Sequence, residues 1–467
     1  MAGSRWATPL DAIFLMGETP ETLMHVASLI HFTFPPGEEG TFLPRLMDDF
    51  RAATFEEPWT LRLQTRSLMH QPVHRWVVDD AFDVDYHVRH SALPSPGGER
   101  ELGVLVSRLH SNALDFRRPP WEMHVIEGLE GGRGFAIYTK IHHSLVDGYT
   151  GMRILQRGLS PDPDDREHPF FFSLVKPPRA PREADPVGDV TSIVRGLADS
   201  VGALPSVVRA LVDTQLRRGR TSTRAVTSYQ APSSILNSRV GRARRFATQE
   251  FELERLRAVA RARGATLNDV LMAICAGGLR RFLTDLDALP ERPLIAFVPV
   301  NVRAQDSHGG GNAVGATLVS LATDVEDPLA RLTAITASAR AAKARMRGMS
   351  ADSVIAYSAL LLAPAAMQVV KAMSGIPGPV PLTLNVCISN VPGPKEHLYL
   401  RGARLDSTYP VSIPGHSMAL NITAHSYAGM LDVGFVGDRD ALPHLQRLAV
   451  HTGEALDELE RAVSGVG

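Results

Sequence analysis

The stretch that decides the fold is Lys140-Ile141-His142-His143-Ser144-Leu145-Val146-Asp147-Gly148. The run before it, residues 135–139, is rich in β-branched and aromatic side chains, which is typical of a strand. After it, Met152, Leu155 and Leu159 recur at helical spacing. A strand is therefore predicted to end at the two histidines, and a helix to begin just beyond them.

The two histidines of this stretch are candidates for proton transfer. Side chains alternate along a strand, so His142 and His143 are predicted to face opposite ways and only one of them to meet a substrate. An imidazole titrates near neutral pH, which suits a base that takes a proton from a hydroxyl group. A histidine at the end of a strand is more often structural than catalytic, so both interpretations stay open on this pattern alone.

Two strands should bring the histidines to the end of a sheet. Residues 121–127 and 135–141 both have strand composition, and Gly131-Gly132-Arg133-Gly134 between them forms a glycine-rich turn. The pair predicts a hairpin whose second strand ends at the histidines. Residues 24–32 predict a further strand, and residues 9–15 predict a short helix that begins at a proline.

Length and composition indicate a globular protein of more than one domain. The 467 residues exceed what one ordinary core accommodates, so two domains are predicted. With 44% hydrophobic residues, 21% charged residues and a formal net charge of −1, the chain lacks the basic excess of a nucleic-acid binder. Cys275 and Cys387 lack the paired spacing of a zinc site, so no metal centre is expected. Both are interpreted as buried thiols in a reducing compartment.

The predicted location is the cytoplasm, with peripheral contact to the inner membrane face or to lipid inclusions. The first six residues contain no apolar segment of a secretory signal. Residues 353–370 are weakly charged but fall short of the ~20 apolar residues of a membrane span, and Pro364 interrupts them. They are interpreted as a buried or interfacial helix.

A proline-rich segment divides the chain. Six prolines fall between residues 160 and 182, and a helical pattern of apolar residues follows them. Residues 161–238 are therefore interpreted as a crossover. It would join an N-terminal domain, residues 1–160, to a C-terminal domain, residues 239–467.

The predicted second domain contains a helix whose start is well marked. Thr266 has the side chain of an N-cap, and Asp269, three residues on, suits the first turn and the helix dipole. Capping accounts for Asp269 without a catalytic role. Farther on, residues 295–303 form a strand-like run. The glycines 309–311 do not fit a phosphate-binding G-x-G-x-x-G, because Val314 replaces the third glycine.

The string H-H-x-x-x-D-G resembles the active-site motif of the bacterial wax ester synthase/diacylglycerol acyltransferases. That family belongs to the CoA-dependent acyltransferases that share H-x-x-x-D, which include chloramphenicol acetyltransferase and peptide-synthetase condensation domains. The resemblance runs from Leu10 to about Leu459 and is weakest across the crossover. Further family-like segments are Pro119-Pro120-Trp121, where the family commonly has Pro-Leu-Trp, Thr266-Leu267-Asn268-Asp269-Val270, the strand and Gly-Asn loop of residues 295–312, and Asn385-Val386-Cys387-Ile388-Ser389-Asn390-Val391-Pro392-Gly393-Pro394.

The resemblance implies an α/β fold of two chloramphenicol-acetyltransferase-like domains with a channel at their interface. It implies an O-acyltransferase that moves a long-chain fatty acyl group from acyl-CoA to a fatty alcohol or a diacylglycerol, with no bound cofactor. His143 matches the catalytic base of the family, and His142 would support the pocket. A thiolate of free pKa ~8.5 leaves readily, so direct attack without an acyl-enzyme is expected. No G-x-S-x-G nucleophile elbow is present to supply one.

The same resemblance implies supporting roles for other residues. In the wider group the aspartate of the motif pairs with an arginine. Asp147 is therefore predicted to form a partly buried ion pair with Arg303 rather than to orient His143. Asn268 is a candidate oxyanion donor. The full set predicted to bind substrate or support the site is Gly148, Asn268, Asp269, Arg303, Trp121 and Asn390.

Two other interpretations remain open from the sequence. One is a related H-x-x-x-D acyltransferase with a different acceptor, such as a carrier-bound substrate, and the other is a non-catalytic lipid-binding protein of the same fold. No carrier domain is evident in the sequence, and the intact His142, His143 and Asp147 disfavour the second interpretation. The predicted partners are acyl-CoA, a fatty alcohol or diacylglycerol, and a membrane or lipid-droplet surface, with no nucleic acid.

Overall fold

The structure is a computed structural model. It describes residues 4–64, 74–146, 148–174, 226–301, 314–350, 353–354, 357–358, 360–362 and 382–465. Within these ranges the chain forms two six-stranded sheets and one three-stranded sheet, with helices packed on the two larger sheets. This is the α/β class that the sequence predicts.

In chain order, the strands are β1 (Ser4–Trp6), β2 (His25–Thr33), β3 (Leu61–Leu63), β4 (Arg75–Val78), β5 (Val88–Ala92), β6 (Trp121–Leu129), β7 (Gly134–His142), β8 (Arg244–Glu252), β9 (Ile295–Asn301), β10 (Val314–Ser320), β11 (Val386–Pro392), β12 (Tyr399–Leu400), β13 (Ala403–Val411), β14 (Leu420–Tyr427) and β15 (Met430–Asp438). The helices are α1 (Pro9–Gly17), α2 (Phe42–Ala52), α3 (Val84–His87), α4 (Glu99–His110), α5 (Gly148–Arg157), α6 (Leu253–Arg263), α7 (Leu267–Asp285), α8 (Pro328–Met346) and α9 (Leu445–Ser464).

The first large sheet carries the two histidines. Its strand order is β12-β13-β2-β7-β6-β5, and β6 and β7 form the predicted hairpin, with Trp121 opposite Ile141. On the other side of β7 lies β2, with His25 opposite His142. All nine residues of β7 are buried, so this inner strand leads the chain out of the core directly at the histidines.

Two strands of this sheet come from the distant C-terminal part of the chain. β13 pairs antiparallel with β2, and β12 pairs with β13. The predicted N-terminal domain, residues 1–160, and the predicted C-terminal domain, residues 239–467, therefore contribute strands to one sheet. The domain limits and the crossover of residues 161–238 stay predictions, since residues 175–225 lie outside the described ranges.

The second large sheet has the order β10-β9-β11-β14-β15-β8, and α7 and α9 pack in its hydrophobic core. The start of α7 has the predicted cap. Thr266 Oγ1 accepts the Asp269 N–H at 3.2 Å, and Asp269 Oδ2 accepts the Thr266 N–H at 2.8 Å. This reciprocal capping box satisfies donors that a helix start otherwise leaves without a partner.

The two large sheets meet through a shared apolar cluster and through buried hydrogen bonds between β13 and the second sheet. Val106 of α4, Phe246 of β8 and Val436 of β15 belong to the cluster. Beside a bulge in β13, the Thr408 N–H donates to Asp432 Oδ2 of β15 at 2.7 Å. Asp432 is 0% exposed, and its other oxygen, Oδ1, accepts no hydrogen bond from the described residues.

Asp432 should make the stability of the protein depend on pH. Burial raises the pKa of Asp432 to about 8; the Thr408 N–H opposes this rise and the Glu250 charge adds to it. The folded protein therefore retains a proton that the unfolded chain releases near pH ~4. Between these two values the folded state binds more protons, so its stability falls as the pH rises.

Asp432→Asn should remove this pH dependence while an amide oxygen still accepts the Thr408 N–H. We expect the variant and the wild type to unfold alike near pH ~4.5, and the variant to be more stable by up to about 4 kcal/mol at pH ~8. The wild type loses up to ~1.4 kcal/mol for each pH unit over which the folded state keeps a proton that the unfolded chain has released. Urea unfolding at both pH values measures the difference, with exposed Asp440→Asn as the control. A gap of equal size at both pH values would contradict the assignment.

Candidate active site

The segment between β7 and α5 holds the two histidines. His142 is the last residue of β7, and its N–H donates to the Pro120 carbonyl at 2.9 Å. His143 follows just beyond the strand, and its N–H donates to the Met24 carbonyl at 2.9 Å. Two different chain segments therefore hold the backbone of the pair in place.

His142 is a buried ring whose two nitrogens both face protein groups. Its Nδ1 accepts the Ser144 N–H at 3.2 Å and lies 2.6 Å from Ser144 Oγ. Its Nε2 lies 3.5 Å from Glu18 Oε2, and the Phe116 ring meets it edge to face. Because the side chain is 1% exposed and its Nδ1 lone pair is engaged, His142 is poorly placed to take a proton from a substrate.

His143 lies against different groups. Its ring stacks on Phe14 of α1, with centroids 3.9 Å and planes 21° apart. The residue is half-buried, so its imidazole is the more accessible of the two. A half-buried imidazole just beyond the end of a strand, stacked on an aromatic ring, suits a base that must contact a bound hydroxyl.

A buried ion pair precedes the histidines on β7. The Lys140 side chain is 0% exposed, lies 2.5 Å from Glu122 Oε1, and donates to the carbonyls of Leu109 and Asn112 at 2.9 Å each. Burial lowers the pKa of Lys140, and the Glu122 charge opposes that change. Neither residue was predicted as part of the site, although a lysine inside an apolar strand signals a buried counter-charge.

The Glu122 carboxylate has further partners. Arg89 Nη1 lies 3.3 Å from Glu122 Oε2, and His124 Nε2 lies 3.7 Å from Oε1. Burial alone would raise the pKa of Glu122, but the nearby His124 side chain and the charge of Lys140 together lower it to about 2. The carboxylate is therefore ionised at neutral pH and balances the buried ammonium group.

Neutral imidazoles extend this polar interior. His25 Nε2 lies 3.0 Å from the His110 carbonyl, and His110 Nδ1 lies 2.8 Å from Tyr138 Oη. Burial lowers the pKa of His110 to about 3, and the Lys140 charge lowers it further. Burial also lowers the pKa of His25 well below its usual value. Both rings are therefore uncharged near pH 7 and weak as bases, which leaves them a structural role.

Trp121 supports the strand that pairs with the histidine strand. It is 0% exposed, its Nε1 donates to the Trp59 carbonyl at 2.7 Å, and its ring stacks on His87 with centroids 4.6 Å apart. These contacts fix the start of β6 beside the end of β7. The structure therefore places Trp121 in the core next to the end of β7, where it helps to fix the position of the two histidines.

Asn268 and Asn390 meet in the structure, although they belong to distant family-like segments. Asn390 Nδ2 donates to Asn268 Oδ1 at 2.7 Å, which joins the end of β11 to the start of α7. Asn268 is exposed, whereas Asp269 is 2% exposed and completes the helix cap. The structure thus brings three of the predicted residues to one helix N-terminus.

The helix that follows the histidines contacts the second sheet. α5 begins at Gly148, and Gln156 Nε2 lies 3.1 Å from His425 Nε2 of β14. Burial lowers the pKa of His425 to about 4, so the neutral ring can accept the Gln156 amide N–H. Asp147 and Arg303 lie outside the described residues, and their ion pair stays a prediction.

In the described ranges, no helix combines the length and apolarity needed to cross a bilayer.

The described residues also bear on metal and thiol chemistry. Among them, no three His, Cys, Asp or Glu side chains converge as metal ligands. Cys275 and Cys387 are buried and free, and burial raises the pKa of each thiol to about 12. Residues 353–370, interpreted as a helix, lie largely outside the described ranges.

Comparison with known families covers most of the chain. Residues 8–271 match the family model described as the wax ester synthase/diacylglycerol acyltransferase catalytic domain, and residues 310–460 match the corresponding C-terminal domain. A Mycobacterium tuberculosis protein assigned as a diacylglycerol O-acyltransferase is 52% identical, over 98% of each chain.

Solved structures agree with this match. The wax ester synthase/diacylglycerol acyltransferase from Marinobacter aquaeolei VT8 is 38% identical, with a TM-score of 0.78 over 98% of this chain and 99% of that chain. The first condensation domain of the CDA synthetase, at 16% identity, has a TM-score of 0.57 over 98% of this chain and 95% of that chain, and shares the fold. The predicted family resemblance and fold class are confirmed.

Proposed function

The chain belongs to the wax ester synthase/diacylglycerol acyltransferase family, and on that premise we propose that it acylates a lipid hydroxyl. A long-chain fatty acyl group passes from acyl-CoA to a fatty alcohol or a diacylglycerol. The products are free CoA and either a wax ester or a triacylglycerol. Acyl-CoA serves as co-substrate, and no bound cofactor takes part.

His143 is the general base of this reaction. The observation that carries the assignment is its half-buried ring, stacked on Phe14 at the end of β7. The neutral imidazole takes the proton of the acceptor hydroxyl while the oxygen attacks the thioester carbonyl. The carbon–sulfur bond then breaks, and the CoA thiolate, with a free pKa of ~8.5, leaves and is protonated.

The remaining predicted residues support this step. His142 and Trp121 hold the end of the histidine strand, since both are buried and hydrogen-bonded. Asn268 has its Oδ1 engaged by Asn390 and is exposed, so its amide donors are available to the developing oxyanion. Asp269 anchors the helix that presents Asn268.

Release of free thiol tests the proposed function. Palmitoyl-CoA is incubated with the protein and hexadecanol, with the protein and dioleoylglycerol, and with the protein alone. We expect thiol release that depends on an acceptor, together with the matching ester by mass spectrometry. Binding of palmitoyl-CoA without turnover on any hydroxyl acceptor would favour a lipid-binding protein instead.

No acyl group should become attached to the protein when acyl-CoA is supplied without acceptor. The Ser144 hydroxyl lies 2.6 Å from the Nδ1 of His142, but Ser144 is 2% exposed. Both cysteine thiols are buried and protonated near pH 7 because burial raises the pKa of each to about 12. Intact-mass and peptide mass spectrometry measure the adduct. A stoichiometric acyl group on Ser144 or Cys387 would replace direct attack with a two-step reaction.

A further inference from the structure

We infer that Glu18 is a positioning residue for the acyl transfer: it fixes the His142 ring and, through Met24, the backbone of His143. This role rests on the proposed function, in which His143 is the base. Glu18 is the residue that directly follows α1, and its side chain is 9% exposed. Its position connects three elements: α1, β2 and the histidine turn.

One carboxylate oxygen of Glu18 lies beside the His142 ring and is connected to the backbone of His143 through Met24. Oε2 accepts the Met24 N–H at 2.5 Å and lies 3.5 Å from His142 Nε2. The Met24 carbonyl in turn accepts the His143 N–H at 2.9 Å. The carboxylate therefore contacts one ring directly and holds the backbone of the other histidine through a single intervening residue.

The hydrogen bonds of His142 assign its tautomer. A backbone N–H can only donate, so the Ser144 N–H at 3.2 Å makes Nδ1 an acceptor that carries no proton. The proton of the neutral ring is then on Nε2, which faces Glu18 Oε2. The negative charge of the Glu18 carboxylate, 3.5 Å from Nε2, favours a proton on that side of the ring, whereas the other tautomer would point Nδ1–H at the Ser144 donor.

Glu18 also ends the helix that covers the catalytic ring. Phe14, one turn earlier on α1, stacks on His143. Beyond Glu18 the chain makes a tight turn, in which the Thr19 N–H donates to the Thr22 carbonyl and the Thr22 N–H donates to Thr19 Oγ1. Displacement of Glu18 would therefore shift the face of His143 as well as its backbone.

The negative charge of Glu18 also stabilises the charged forms of two buried cations, Lys140 and Arg244. Burial lowers the pKa of Lys140, opposed by Glu122 and, more weakly, by Glu18. Burial lowers the pKa of Arg244 to about 10, opposed by Asp438 and then by Glu18. An amide of the same shape would keep the hydrogen-bond acceptor of Glu18 and remove only this charge, so the two contributions can be separated.

A rival role would make Glu18 the acid of a catalytic triad. Ser144, His142 and Glu18 stand in the order hydroxyl, imidazole and carboxylate. However, Ser144 is 2% exposed and donates to the same Nδ1 with its own N–H. These hydrogen bonds stabilise the turn, and the buried Ser144 hydroxyl is not accessible to an acyl group. Acylation of Ser144 in the mass experiment would overturn the positioning role.

Three substitutions test the positioning role. Glu18→Met removes the acceptor at similar side-chain length, Glu18→Gln retains an acceptor oxygen, and Glu21→Gln is the control in the same loop. We expect Glu18→Met to lower kcat by about 10- to 100-fold with KM for palmitoyl-CoA changed by less than about threefold, since the geometry of the base and not ground-state binding is lost. Glu18→Gln should restore kcat to within about threefold of the wild type, and Glu21→Gln should leave it unchanged. Melting curves verify that each variant is folded.

Equal kcat in Glu18→Met and in the wild type would overturn the inference. A loss of kcat in Glu18→Gln as large as that in Glu18→Met would also overturn it.

A second measurement does not depend on activity or on any substitution at Glu18. Nitrogen-15 NMR of histidine-labelled wild type, with the His142 signals assigned by comparison with His142→Gln, should show His142 protonated on Nε2 alone near pH 7. A proton on Nδ1 would overturn the inference even if the enzyme is active. Absence of thiol release from the wild type would instead refute the proposed function and leave the tautomer result standing.

Discussion

His143→Ala should abolish acyl transfer to both acceptors, with kcat lowered by about 10²- to 10⁴-fold, the contribution of a positioned general base. The imidazole that takes the hydroxyl proton is lost, and His142 cannot replace it, since His142 is buried with its Nδ1 engaged by Ser144. Stability should change little, by about 1 kcal/mol, because His143 is half-buried and lies beyond the end of β7. Thiol release at saturating palmitoyl-CoA and a melting curve measure the two effects.

Two other histidine variants serve as comparisons. His142→Ala should lower rate and stability together, because this ring contacts Glu18, Ser144 and Phe116 in the interior. His90→Ala, on β5 with a side chain 36% exposed, should leave both unchanged. If His143→Ala kept more than about a tenth of the wild-type rate, above the loss expected for a general base, the base would have to be another group.

Local patterns in the sequence predicted much of the frame around the site. The hairpin of β6 and β7, the strand β2 and the capped start of α7 at Thr266 are all found. Each depends on neighbours within a few residues: strand composition, a glycine-rich turn, or the three-residue spacing of a capping box. Such features can be predicted from the sequence because the groups that interact are close in the chain.

Contacts between distant segments were not predictable in this way. β13 joins β2 across most of the chain, and no turn or spacing marks which strand completes the first sheet. The same holds for the site. Glu18 and Lys140 each face a charged or polar partner that only the fold brings near, namely His142 and Glu122. The Asn268–Asn390 contact also became visible only in three dimensions, although family-like segments had singled out both residues.

Lys140→Met is expected to lower the free energy of unfolding by about 3–5 kcal/mol, the usual cost of removing one partner of a buried ion pair. Methionine matches the length of the lysine side chain but cannot balance the charge of Glu122. It also leaves the carbonyls of Leu109 and Asn112 without their donor. The Leu109 carbonyl belongs to the last turn of α4 and the Asn112 carbonyl follows just beyond it, where a positive charge stabilises the helix dipole.

The pH dependence of unfolding gives a second measure of this variant. In the wild type the pKa of Glu122 is lowered to about 2, by the nearby His124 side chain and the Lys140 charge against the effect of burial. The stability that this carboxylate contributes is therefore complete above pH ~4.5 and lost as the pH falls toward about 2. In Lys140→Met, burial is opposed only by His124 and Arg89, so the pKa of Glu122 should rise. The difference between wild type and variant should then shrink on acidification.

A double-mutant cycle separates the two contributions of Lys140 to stability: its ion pair with Glu122 and its hydrogen bonds to the carbonyls near the end of α4. Glu122→Gln alone should also destabilise the fold, because it leaves the Lys140 ammonium buried without its counter-charge. If the two charges act mainly on each other, Lys140→Met combined with Glu122→Gln should cost less than the sum of the single changes, by about 1–3 kcal/mol. Exposed Lys395→Met should stay within about 0.5 kcal/mol of the wild type. Strictly additive losses in urea unfolding would mean that Lys140 stabilises the fold through α4 alone, and that Glu122 is balanced by Arg89 and His124.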